Sequence, residues 1–127
     1  MTRAALLQYV AEQYGVEPDH PWESDPTSAV LRHRDNKKWF ALVMKIGRDR
    51  LGLSGHTPVD AMNVKCDPLM IGSMRMNTGV LPAYHMNKNH WLTVLLDGTA
   101  DDETVKALVD MSYALTAPKK KAPKPDA

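Results

Sequence analysis

Ten consecutive residues, Pro82-Ala83-Tyr84-His85-Met86-Asn87-Lys88-Asn89-His90-Trp91, hold two histidines, a lysine, two asparagines and two aromatic rings just ahead of an apolar run. A second stretch, Arg32-His33-Arg34-Asp35-Asn36-Lys37-Lys38-Trp39-Phe40, repeats that mixture of cations, amides, imidazole and aromatics. Cations neutralise phosphates, amides and imidazoles donate to phosphates or base edges, and aromatic rings can stack or wedge. The two stretches therefore suggest one basic, hydrogen-bonding surface. Its candidate DNA contacts are Arg32, Arg34, Lys37, Lys38, Asn87, Lys88, Asn89 and His90. Two other readings use the same residues. Lys65, Tyr84, His85 and His90 could line a cleft for a small molecule or a protein, with a weak enzymatic activity. Alternatively, Arg32–Asn36 and Asn87–Trp91 could be an internal hydrogen-bond network that braces the fold.

Other chemistries find less support. His85 and His90 are five residues apart, but neither a Cys-x-x-Cys pair nor a His-Glu-x-x-His motif is present, so no metal site is spelled out. Ser54, Ser73 and Ser112 lie in no Gly-x-Ser-x-Gly elbow. Cys66 falls on the apolar side of an expected strand and reads as an inert, buried thiol. Gly47, Gly52 and Gly55 match neither a P-loop nor a dinucleotide fingerprint, so no cofactor is implied. The methionines read as core filler. Trp39 and Trp91 open apolar strands and read as core rather than as stacking groups.

The elements that must position these residues follow from periodicity and punctuation. Thr2 to Tyr14 predicts a helix, with Thr2 as N-cap, Leu6, Leu7, Val10 and Tyr14 on one face, and Gly15 as the stop. Pro18 to Pro26 predicts a loop with Trp22 folded back as a lid on the core. Ala29–Arg34 and Lys38–Ile46 predict two strands around an Asp35-Asn36-Lys37 turn. After a glycine-rich tip, Val59–Cys66 predicts a third strand, with Met62, Val64 and Cys66 on one face and Asn63 and Lys65 on the other. Asp67-Pro68 predicts the start of a helix running to about Met76. His90–Leu96 is the fourth strand, and Thr99 is the expected N-cap of a final helix. The order αβββαβα with short connections argues for an α+β domain built on a mainly antiparallel sheet of about four or more strands.

At 127 residues and 14.2 kDa the chain fits one domain with one sizeable core. Its apolar runs are too short to span a bilayer, the N-terminus does not fit a signal peptide, and a single cysteine cannot form an internal disulfide. A reduced cytoplasmic compartment, no membrane, and a monomer or weak homodimer are the expectations. The net charge of +1 conceals a division: residues 32–50 carry seven Lys/Arg against Asp35 and Asp49. Such segregation could give one positive face, as a polyanion partner would require. The end of the chain, 117–127, is rich in Lys and Pro and reads as a disordered tail.

Three blocks resemble the MmcQ/YjbR family of small bacterial proteins: Val30-Leu31-Arg32-His33-Arg34-Asp35-Asn36-Lys37-Lys38-Trp39-Phe40-Ala41, Asn63-Val64-Lys65-Cys66-Asp67-Pro68, and Tyr84 to Trp91. Ser112-Tyr113-x-Leu115 near the end also fits, and the resemblance covers most of residues 1–116. It implies a frataxin-like or double-wing arrangement, an antiparallel sheet with helices packed against it. It also implies DNA binding, through fold similarity to a phage transcription factor domain, and supplies no catalytic residue.

Overall fold

Thr2 and Gly15 bracket the first helix as their chemistry dictates. In the computed structural model, which describes residues 1–118, the Thr2 hydroxyl accepts the Ala5 N–H at 3.1 Å. Gly15 adopts a left-handed φ of 66° to end α1 (Arg3–Tyr14). The strands are β1 (Ala29–Arg32), β2 (Trp39–Gly47), β3 (Pro58–Lys65), β4 (Val80–Pro82) and β5 (Trp91–Leu95), with α2 (Ile71–Met74) before β4 and α3 (Asp102–Thr116) last. Most of the tail expected over 117–127 lies outside the described residues.

The five strands form one antiparallel sheet in the order β1-β2-β3-β5-β4. Side chains alternate across it. On one face Leu31, Ala41, Val43, Met62, Val64, Leu92 and Val94 meet Leu6 and Val10 of α1 and Val105, Leu108 and Val109 of α3, giving the main core. Among the described residues the opposite face carries no α-helix, only the short 3₁₀ turn Arg48–Leu51. There Met44, Ile46, Val59, Ala61 and Leu95 form a smaller cluster under Leu51, Leu53, Leu81 and Tyr84.

The expected α+β class holds, with corrections. A fifth strand, β4, lies on the sheet edge, making the order αβββαββα; three residues are too few to show a period in sequence. The second helix is a single turn. Asp67 does not cap it: its Oδ1 accepts the Leu69 N–H at 2.9 Å in a turn ahead of the helix, whose N-cap position is Met70, while Gly72 weakens the interior and the Asn77 side chain donates to the Met74 carbonyl at 3.0 Å. Thr99 is not the N-cap of α3. The Asp97 carboxylate takes both its N–H (3.0 Å) and its hydroxyl (2.6 Å), and Asp101 occupies the cap position. Trp22 is no core lid either. It is 36% exposed, and its ring meets Trp39 edge-on at 5.7 Å.

Candidate functional site

The register between β1 and β2 slips where Leu31 pairs with Ala41 but Arg32 pairs with Trp39, leaving Phe40 as the extra residue. Phe40 and Ala41 both enter the main core, so Trp39 is turned to the helix-free face. The Ser112 hydroxyl stabilises this break by donating to the Phe40 carbonyl (2.5 Å) and accepting the Lys65 N–H (2.8 Å). The bulge thus re-aims an aromatic ring, and a helix side chain replaces the hydrogen bonding that regular pairing would supply.

Antiparallel order brings the turn after β1, the end of β3 and the loop before β5 to the same end of the sheet. The two polar-aromatic stretches share that end, with β3 between them. Arg34, Lys37, Lys38, Asn89 and His90 are exposed there. Arg32 is partly committed: it pairs with Asp19 at 3.2 Å and its guanidinium lies over the Trp39 ring at 5.4 Å. Counting Lys65 and Lys88, the described residues place six cations at this end, together with Glu17, Asp19, Asp35 and Asp67. The excess is positive but small.

The basic segment 32–50 does not make a single positive face. β2 separates its two halves by roughly 27 Å, the length of a strand of nine residues. Lys45, Arg48 and Arg50 sit at the far end, where Arg48 faces Asp97 at 3.7 Å.

Part of the polar content braces the fold. His33 is buried, its Nε2 lies 2.8 Å from Thr116 Oγ1, and burial lowers its pKa from the ordinary 6.5. Asn36 donates to the Thr116 carbonyl at 3.1 Å, holding the turn to the end of α3. In the second stretch Asn87 Oδ1 accepts the Asn89 N–H (2.9 Å), and the Lys88 ammonium donates to the Ala83 carbonyl (2.9 Å). Sequence reasoning missed the main anchor. Tyr84 N–H donates to Thr93 Oγ1 (2.8 Å), the Thr93 hydroxyl donates to Asn63 Oδ1 (2.5 Å), and Asn63 Nδ2 donates back to the Tyr84 carbonyl (2.9 Å). Strand alternation could mark Asn63 as facing away from the main core, but not that Tyr84 would cover it.

A groove of about 530 Å³ runs along the helix-free face beside the half of β2 that β1 does not cover. Trp22, Asp25, Met44, Arg50, Tyr84 and His85 are among its lining residues. The Tyr84 and His85 rings stack at 3.9 Å, with His85 at a left-handed φ of 56°. Hydrogen bonding from Ser28 holds the Asp25 carboxyl below the usual carboxylate range. Of the expected cleft residues, Tyr84 and His85 reach this groove, whereas Lys65 and His90 do not line it, because they sit at the sheet end beyond the Tyr84 anchor. Burial pushes the Cys66 thiol up, which fits an unreactive side chain. Among the described residues no three His, Cys, Asp or Glu side chains converge as a metal ion would need, and no helix is long and apolar enough to cross a membrane.

The YjbR family model matches residues 11–115, nearly the whole folded body. The chain belongs to the YjbR family. Within this family, YyaQ of Bacillus subtilis is 40% identical over 116 residues, covering 91% of this chain and 98% of the relative. YjbR of Escherichia coli is 41% identical over 114 residues, covering 89% and 85%. A crystal structure of a Pseudomonas syringae protein is 44% identical and superposes with a TM-score of 0.89, covering 92% of this chain and all of that one. The YjbR signature here includes structural residues: Ser112 holds the β2 bulge and Tyr113 packs against Phe40 at 5.0 Å.

Proposed function

We propose that this YjbR protein binds DNA through the sheet end carrying Arg34, Lys37 and Lys38 on one side and Lys88, Asn89 and His90 on the other. The observation that carries the reading is the convergence of both stretches at one end, with Arg34, Lys37 and Lys38 exposed and making no ion pair among the described residues. Among the described residues no helix is strongly basic, so strands and loops would make the contacts. The reading extends to a cytoplasmic monomer or weak homodimer, and to the double-wing comparison for the fold.

A mobility-shift titration with mixed duplexes at low salt tests it. Retardation that weakens steeply with added salt is expected, since phosphate contacts release counterions. No retardation above about 100 micromolar protein, the weak end of non-specific affinity, sinks the proposal. Arg34→Ala and Lys38→Ala should each weaken binding. If only removal of residues 117–127 matters, the tail is the binder and the sheet end is not.

The groove favours a second reading, a site for a small molecule or a peptide. Its volume falls within the range of ligand pockets, and Trp22, Tyr84 and His85 provide ring surface beside Arg50. Saturable chemical-shift changes confined to Trp22, Met44 and Tyr84 in a fragment screen would support it.

A further inference from the structure

We infer that this surface takes a single-stranded polynucleotide, stacking unpaired bases on Trp91 and on the Trp39–Arg32 pair across the helix-free face of the sheet. The inference rests on the nucleic-acid reading above and specifies its ligand.

Two cross-strand pairs define the place. Arg32 lies opposite Trp39 on β1 and β2, and Lys65 lies opposite Trp91 on β3 and β5. All four are on the helix-free face. Lys65 shares the side of Asn63, and Trp91 shares the side of Thr93, which bonds Asn63. Trp39 reaches this face through the bulge at Phe40. The result is a row of cation, indole, cation, indole across the end of the sheet, every member half-buried.

Trp39 is partly packed, since Trp22 meets it edge-on, but hydrophobic packing does not account for Trp91. Leu92 and Val94, the neighbours of Trp91 with the opposite orientation, are fully buried in the main core, while Trp91 stays partly exposed. Among the described residues no aromatic ring or cation stacks on it. An accessible indole is a platform for any base, since every base has a π-face. The two tryptophan strands are separated by β3, hence about 10 Å apart, near three stacked-base rises of about 3.4 Å. Lys65 lies between them, where a connecting phosphate would pass, and Lys38, exposed one residue before Trp39, adds positive charge at the same end. A duplex hides its base faces inside the stack, so a flat sheet surface can stack only on unpaired bases.

The test is a tryptophan-fluorescence titration of the full chain at low salt. Its probes are oligothymidylate and oligouridylate of about twelve nucleotides, within the span of one single-strand-binding domain, and a duplex of matched length. Single strands should quench the fluorescence and bind about tenfold tighter than duplex. Trp91→Ala should weaken single-strand affinity by about five- to a hundredfold, the usual effect of losing one stacked base, and leave duplex affinity within about twofold. Trp91→Phe, which keeps a ring and protects the fold, should retain binding but lose much of the quenching. A difference between the two oligonucleotides would identify DNA or RNA as the preferred source of the unpaired bases. Equal affinity for duplex and single strands, or full affinity in both Trp91 variants, overturns the inference while leaving duplex binding intact. Absence of binding to all three probes overturns both.

Discussion

At the scale of single residues, the same polar types do two jobs, and burial separates them. Asn63 is 1% exposed and holds both Thr93 and the Tyr84 main chain. Asn63→Ala would leave the Tyr84 carbonyl and the Thr93 hydroxyl without that partner, so a loss of about 2–3 kcal/mol in urea unfolding is expected. Asn87 makes an exposed hydrogen bond inside its own loop. Asn87→Ala should cost only about 0.5–1 kcal/mol, a fall of a few degrees in melting temperature. Equal losses in the two variants would mean that the Asn63 circuit is not the anchor. His33 adds a pH dependence. Its folded pKa lies below the unfolded 6.5 because burial disfavours the imidazolium, so on acidification the unfolded chain takes up the proton first. Its contribution is fully present above 6.5 and is lost as pH falls from there toward the lowered folded value. The urea midpoint should therefore drop as pH falls below about 6.5, and His33→Gln should flatten that drop. A slope unchanged in the variant would assign the loss to other groups.

At the scale of elements, what was legible in sequence is what local chemistry decides. Thr2 and Gly15 gave the bounds of α1, the Asp35-Asn36-Lys37 turn gave the first hairpin, and alternation assigned Met62 and Val64 to the core. The bulge at Phe40, the strand β4 and the cover that Tyr84 provides depend on contacts distant in the chain, such as Ser112 with Phe40. Trp39 and Trp91 therefore read as core in sequence, although they face away from the helices. Two glycines show the same division. Gly72 is within the short α2 with open space where a Cβ would go, so Gly72→Ala should stabilise by about 0.5–1 kcal/mol. Gly79 has φ +82°, and a Cβ there would come within 2.7 Å of the Ala100 nitrogen. Gly79→Ala should cost at least about 2 kcal/mol, from left-handed strain plus backbone displacement. Thermal melts of the two variants should move in opposite directions, and a shared direction would refute the local geometry at one of them.

At the scale of the whole molecule, the division of cations between the two ends of β2 makes a prediction that net charge cannot. Arg34, Lys37 and Lys38 lie at the end with Lys88 and His90, whereas Lys45 and Arg50 lie roughly 27 Å away along a strand of nine residues. That distance exceeds the roughly 8 Å screening length at physiological ionic strength, so the two groups act on a bound phosphate chain almost independently. If nucleic acid occupies the first end, each lysine there that neutralises a phosphate adds about 0.9 to the slope of log affinity against log salt on duplex, and somewhat less on single strands. Replacing both Lys37 and Lys38 by Ala should lower that slope by about two, while Lys45→Ala with Arg50→Ala should leave it unchanged. The unsubstituted chain and the same two double variants, each lacking residues 117–127, separate the contribution of the Lys-rich tail. Equal slope changes at both ends would mean diffuse attraction without a site, and changes only with tail removal would place the binding outside the folded body.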